Sequence, residues 1–189
     1  MAFRIVSGLV NGVKGGVVAA LQGAADVGST TVVAVRDVTV KTLKESGEFV
    51  AQGIDVPASI VQGAISGVAN IGVSVVGAIK GVVSGTVQGF MEAGGSQQDA
   101  VGGAVAQAVN SSKDVGGDVA DTAVEAVKGA VEGVGQVGGD TAGALRDGVT
   151  AALGAAKEIS DEAYEAVAES LKSGVDGADK IVDEVKKSK

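Results

Sequence analysis

The sequence contains no cysteine and no histidine. Their absence excludes disulfides, thiolate nucleophiles, imidazole general bases and the usual zinc ligands. Serine and threonine hydroxyls are present, but none has a histidine to activate it as a nucleophile. We therefore expect that the chain is not an enzyme and that it holds no cofactor and no metal ion.

Aromatic residues are almost as scarce, with no tryptophan, one tyrosine and three phenylalanines among 189 residues. Globular proteins of this length normally use aromatic rings to fill part of the core. Here 46% of the residues are hydrophobic, and nearly all of these are valine, alanine, isoleucine or leucine. The chain must therefore cover its apolar surface by repeating small side chains.

Net charge is unevenly distributed along the chain. Residues 1–94 hold six basic and six acidic side chains, whereas residues 95–189 hold nine basic and seventeen acidic ones, which gives the net charge of −8. We expect a near-neutral segment at 1–93, a break at 94–99 and an acidic segment at 100–189. An acidic chain without a basic face excludes nucleic acid as a partner.

Apolar residues recur at intervals of eleven along the whole chain. Steps of eleven from Val10 to Val175 reach sixteen positions, of which fifteen are apolar. Eleven residues in three turns give about 3.67 residues per turn, close to the relaxed α-helix, so the pattern predicts an all-α protein of long amphipathic helices in one continuous register. The predicted apolar interaction face contains Val10, Leu21, Val32, Leu43, Phe49, Ile54, Ile60, Ile65, Ile71, Val76, Val82 and Val87.

Charged residues keep the same register on the opposite side of the predicted helices. Acidic residues such as Asp37 and Asp147 lie at the middle of the polar face, so acidic pairs four residues apart, such as Glu165 with Glu169, are predicted to be solvated charge rather than metal or catalytic sites. Six basic residues share one position of the eleven-residue register, which borders the apolar face. We call this set the basic lane: Lys14, Arg36, Lys80, Lys113, Arg146 and Lys157.

Helix breaks are predicted at three places, and the register continues through all of them. They are Gly28-Ser29, the segment around Pro57, and residues 94–99, where Asp99 is a candidate N-cap of the following helix. Residues 31–42, "TVVAVRDVTVKT", also alternate partly like a β-strand, and a strand there is the alternative.

Glycine is abundant, with 31 residues. Each interior glycine costs a helix about 1 kcal/mol relative to alanine, so an isolated helix of this composition is expected to be largely unfolded in water. The apolar face must then be buried against an external surface or another copy of the chain. The four-residue spacing of Gly77, Gly81, Gly85 and Gly89 suits close approach between helix backbones, and the alternative is that glycine only keeps one face small.

Residues 56–79 form the longest uncharged stretch, and their 24 residues are long enough to cross a membrane. Gln62, Ser66 and Asn70 stay on the polar side of the register, however, which is typical of a helix that lies in a membrane interface. Crossing stays open as an alternative. Asn11 and Lys14 interrupt any apolar signal core near the start, so we expect a cytoplasmic or peripheral membrane protein.

Segments such as "GVKGGVVAALQGAA" and "VKGAVEGVGQVGGDTAGAL" resemble synucleins in their amphipathic pattern with a period of eleven residues. Apolipoproteins, lipid-droplet coat proteins and dehydration-protection proteins share this period. The resemblance covers most of the chain and implies amphipathic helices on a lipid surface. The lysine-rich repeat core of synucleins is absent here, and no functional residue is carried over.

Three functions follow from these patterns. The first hypothesis is a non-enzymatic amphipathic helical protein that coats a lipid surface, with residues 1–93 as the main anchor. The alternative is a self-assembling structural protein, in which helices form a right-handed coiled coil, bundle or filament through small Gly, Ala and Val faces. A protectant or ice-binding helix is the third, supported only by a sparse threonine lane. The expected partners are therefore a lipid surface or copies of the same chain.

Overall fold

All regular structure in the described part of the chain is helical. The computed structural model describes residues 2–22, 26–46 and 55–187. Its nine helices are α1 (Ala2–Leu21), α2 (Val27–Ser46), α3 (Asp55–Asn70), α4 (Val75–Glu92), α5 (Gln97–Asp114), α6 (Val119–Gln136), α7 (Thr141–Ile159), α8 (Asp161–Gly174) and α9 (Ala178–Lys187). The prediction of an all-α protein is confirmed for these residues. The strand alternative for residues 31–42 is wrong, because they lie inside α2.

The helices are arranged in two rows. One row contains α1, α3, α5, α7 and α9, each packed on the next, and the other contains α2, α4, α6 and α8. Consecutive helices also pack on each other across the rows. Over the described ranges, helices three or more places apart in chain order share no contact. The packing is therefore local in sequence, as in helical repeat proteins, where each unit contacts only its neighbours.

Four consecutive helices begin at a constant interval. The first residues of α4, α5, α6 and α7 are Val75, Gln97, Val119 and Thr141, and each start lies two steps of eleven after the one before it. Turns of four residues precede these helices, at 71–74, 93–96, 115–118 and 137–140. The chain therefore turns more often than the three predicted breaks would allow, and no described helix is longer than 20 residues.

Glycine ends the helices of this regular region. Gly72, Gly94, Gly116 and Gly138 recur with the same period as the helix starts and have φ of 72°, 95°, 72° and 74°. These are left-handed conformations, which glycine adopts at the least steric cost. The amide of the residue after the glycine can then donate to a carbonyl five residues earlier, as Gly117 does to Ser112 at 2.8 Å. This is the Schellman arrangement, which satisfies carbonyls at the helix end.

A serine or aspartate side chain caps the start of each helix from α4 to α8. Its oxygen accepts a hydrogen bond from an amide in the first turn, as Asp118 does from Asp121 at 2.9 Å. The capping residues are Ser74, Ser96, Asp118, Asp140 and Ser160, and the first four follow a left-handed glycine by two residues. The prediction that Asp99 caps α5 is wrong, since Ser96 accepts from the amide of Asp99 at 3.1 Å. Asp99 lies in the first turn, where negative charge is favourable.

The other two predicted breaks also differ in detail. Gly28 and Ser29 lie in the first turn of α2 rather than between helices. Pro57 lies in the first turn of α3, where its missing N–H has no intrahelical acceptor to lose. Residues 94–99 do include a turn, but packing continues across it, because α3 contacts α5 and α4 contacts α6.

The core between the rows is aliphatic. Phe90 is the largest fully buried side chain, followed by isoleucines and leucines such as Ile60 and Leu153. Some buried hydroxyls donate to a carbonyl of their own helix, as Thr86 Oγ1 does to Val82 at 2.8 Å. Others bond between helices, as Ser112 and Thr122 do at 2.8 Å between α5 and α6. Among the side chains that the structure describes, the exposed large hydrophobic ones are Val33 and Val115, at 54% and 42%.

Candidate interaction surfaces

The predicted apolar face lies mostly between helices of the same chain. Six of its residues are buried, with at most 5% of the residue exposed: Leu21, Leu43, Ile60, Ile65, Val82 and Val87. Four are half-buried: Val10, Val32, Ile71 and Val76. Phe49 and Ile54 lie outside the described residues. The expectation that an external surface must cover this face is therefore corrected, since neighbouring helices of the same chain cover the described part of it.

Two of the predicted close-packing glycines lie directly against α2. A Cβ built on Gly85 would be 2.5 Å from the carbonyl oxygen of Val32, and one on Gly89 would be 2.9 Å from that of Arg36. Gly81 is buried within α4. Gly77 makes no helix–helix contact of this kind, because a Cβ there would meet only Ser74, at 3.6 Å.

Glycines in two other helices make the same kind of contact. In α3, a Cβ on Gly63 would lie 2.5 Å from the carbonyl oxygen of Val10 in α1. In α6, Gly129 and Gly133 lie against the backbone of α4, where a Cβ on Gly133 would be 2.8 Å from the carbonyl oxygen of Ser84. Gly63, Gly85 and Gly129 are separated by two and then four steps of eleven. These contacts were not predicted, and glycine does not mark the position in every unit, since the equivalent residue between Gly85 and Gly129 is Gln107.

Ion pairs join helices that lie in the same row. Arg36 of α2 donates to both carboxylate oxygens of Glu92 in α4, at 2.9 and 3.1 Å. Lys80 of α4 lies 2.7 Å from Glu132 of α6. The hydrogen bond to Glu92 raises the pKa of Arg36, and the bond to Glu132 raises the pKa of Lys80. Arg36 and Lys80 of the predicted basic lane thus supply contacts between helices.

The C-terminal helices carry a denser set of ion pairs, and two of these join helices of different rows. Lys186 of α9 lies 2.6 Å from Glu165 of α8, and Arg146 of α7 lies 3.2 Å from Glu184 of α9. Lys172 of α8 pairs with Asp183 of α9. Glu165 was predicted to be solvated charge, and it is exposed but also bonded. Asp147, predicted on the same polar face, is half-buried.

Open grooves lie on the surface of the described helices. A groove of about 520 Å³ lies between α4, α6, α7 and the turn after α8, and it contains Lys80, Lys128, Glu132 and Asp176. Its two cations and two carboxylates give it no net preference for a charged ligand. A second groove, of about 430 Å³, lies between α1 and α2 and is lined by Ala20, Ser29, Thr30, Val33, Ala34 and Asp37.

Neither a metal-ligand cluster nor a membrane span is present in the described helices. Within those ranges, no group of three or more acidic side chains is placed to hold a metal ion. None of the helices there is both long and apolar enough to cross a membrane. The uncharged stretch 56–79 is divided between α3 and α4 by the turn at 71–74.

No family model matches the chain, and no curated protein matches it significantly.

Proposed function

We propose that this chain is a non-enzymatic structural protein that assembles with copies of itself through the ends of its helix stack. The observation that carries the proposal is the two-row packing, which uses the apolar face internally and leaves a groove beside an exposed valine where the stack ends at α1 and α2. In repeat proteins the terminal units must be polar or covered by a partner. Here α8 and α9 are dense in exposed charge, whereas the α1–α2 end exposes Val33.

The eleven-residue register fits this proposal, because one period of the register is half the length of one helix–turn unit. One unit is a helix of about five turns followed by a four-residue turn, and two steps of eleven return to the same position in the next unit. Val87, Val109, Val131 and Leu153 are equivalent positions in α4, α5, α6 and α7. Each is at least half-buried. The register is then a property of stacked units rather than of one long helix.

Coating of a lipid surface is the second candidate function. It is favoured by the glycine content, because helices that are intrinsically weak can exchange protein contacts for lipid contacts. In this case the stack would open at its glycine turns, and the near-neutral residues 1–93 would approach an anionic membrane more readily than the acidic remainder. Val82 and Ile65, which are buried in the folded chain, would then face lipid.

Sedimentation velocity of the lipid-free full chain, with circular dichroism on the same samples, separates the two proposals. Self-assembly predicts a strongly helical spectrum that does not change when vesicles are added, and a mean mass that rises with protein concentration. Lipid coating predicts little helix without vesicles and a large gain of helix on binding them. A helical protein that stays monomeric at every concentration would contradict self-assembly.

A further inference from the structure

The outer side of α2 is an unpartnered face at one end of the stack. Its inner side packs on α4, where Gly85 and Gly89 contact the α2 backbone. In α4 and α6, the faces that carry these glycine pairs are each covered by the helix two places earlier. In the described part of the chain, no helix precedes α2 in its row.

The residues on this outer side combine an exposed valine with charges of both signs. Val33, Asp37 and Lys41 are four residues apart on α2, and all three are exposed. Of the large hydrophobic side chains that the structure describes, Val33 is the most exposed, and it borders the 430 Å³ groove between α1 and α2. On α1, built Cβ atoms at Gly8, Gly12 and Gly15 would meet no atom within 4 Å, so a neighbouring molecule can approach closely.

We propose that this face, formed by α1 and the outer side of α2, binds the same face of a second copy of the chain. An antiparallel pairing of the two α2 helices about a two-fold axis brings Asp37 of each copy opposite Lys41 of the other. The charges are thus self-complementary, as an isologous interface requires. The aliphatic stem of Lys44 then covers Val33 of the second copy.

The size of the face sets the expected strength of the dimer. At 1.5 Å per residue the helices are about 30 Å long, and two helices side by side are about 20 Å wide, so about 600 Å² is covered on each copy. The total of about 1,200 Å² is at the lower end of specific interfaces. We therefore expect a reversible dimer that dissociates on dilution.

This inference rests on the proposed self-assembly, and sedimentation equilibrium of full-length variants tests it separately. Asp37→Lys and Lys41→Asp each place like charges opposite each other twice, and each should weaken the dimer about tenfold or more. The double variant D37K/K41D exchanges the two charges and should restore the dimer. Val33→Asp should also weaken it, whereas Val115→Asp, at the other exposed valine, should not. Circular dichroism confirms that every variant is folded.

The outcomes separate the proposed α1–α2 interface from self-assembly in general. Weakening by the single changes with recovery in D37K/K41D supports the α1–α2 interface. Unchanged association of Val33→Asp and Asp37→Lys would overturn this interface while leaving self-assembly in place. Failure of the double variant to recover would overturn the antiparallel charge pairing. A wild-type chain that never associates would overturn the interface and the proposed function together.

Discussion

Replacing Gly85 by alanine tests the close approach of α4 to α2. The new Cβ would lie 2.5 Å from the carbonyl oxygen of Val32 and 3.0 Å from Cβ of Val35. The nearest of these atoms belongs to the backbone of α2, which cannot move without shifting the helix. We therefore expect the upper end of the usual overpacking cost, about 3 kcal/mol. Alanine recovers about 1 kcal/mol through its higher helix propensity, so the net loss should be about 2 kcal/mol.

Gly154→Ala is the matched control, because Gly154 is exposed in the interior of α7 and a Cβ there would meet nothing within 4 Å. Only the gain in propensity applies, so this variant should be about 1 kcal/mol more stable than wild type. For a chain of this length, the unfolding midpoint should fall by about 4–8 °C in Gly85→Ala and rise by about 2–4 °C in Gly154→Ala. Thermal unfolding followed by circular dichroism measures both. Equal stabilisation by the two changes would refute the close packing of α4 on α2.

Other features of the stack give predictions that the same unfolding measurements check. Asp118→Ala should lose about 1 kcal/mol with its N-cap, whereas Asp118→Asn should lose little. Gly116→Ala should cost about 1–2 kcal/mol although the space there is open, because its φ of 72° is unfavourable for a residue with a Cβ. Ile65→Asp should prevent folding, since it buries a charge at a site that is 2% exposed, while Asp147→Asn should have a small effect. The hydrogen bond from Lys172 lowers the pKa of Asp183 below its usual value of 3.8. Wild type should therefore be more stable than Asp183→Asn above pH 3.8. It should lose this advantage as the pH falls through the lowered pKa. Persistence of the Asp183 difference well below that pKa would contradict the pairing.

The sequence predicted the helices but not the turns between them, for a physical reason. A helix of 18 residues and a turn of four together span two steps of eleven, so a register of eleven passes through the turn unchanged. Counting apolar positions therefore cannot distinguish one long helix from stacked short ones. The distinction lies in local signals, because Gly94 is followed two residues later by Ser96, and Gly116 by Asp118. A left-handed glycine and then a capping side chain end one helix and begin the next.

Spacing within one helix also predicted only part of the glycine contacts. Gly85 and Gly89 lie on the side of α4 that meets α2, whereas Gly77 lies in the first turn, before the helices approach. Which side of a helix meets a neighbour depends on the tertiary arrangement. Four-residue spacing within one helix does not reveal that side. The ion pair between Arg36 and Glu92 was missed for the same reason, since the partners lie on different helices and far apart in the chain.

Residue-resolved hydrogen exchange of the lipid-free full chain tests the two-row stack of helix–turn units most directly. The structure predicts slow exchange for amides in the interiors of α4, α5, α6 and α7, without any added lipid. Faster exchange should recur once in every helix–turn unit, at the first residues of these helices, whose amides have no partner within the helix. Protection that runs unbroken from α4 into α5 would contradict the turns, and an absence of protection until vesicles are added would contradict a chain that buries its own apolar face.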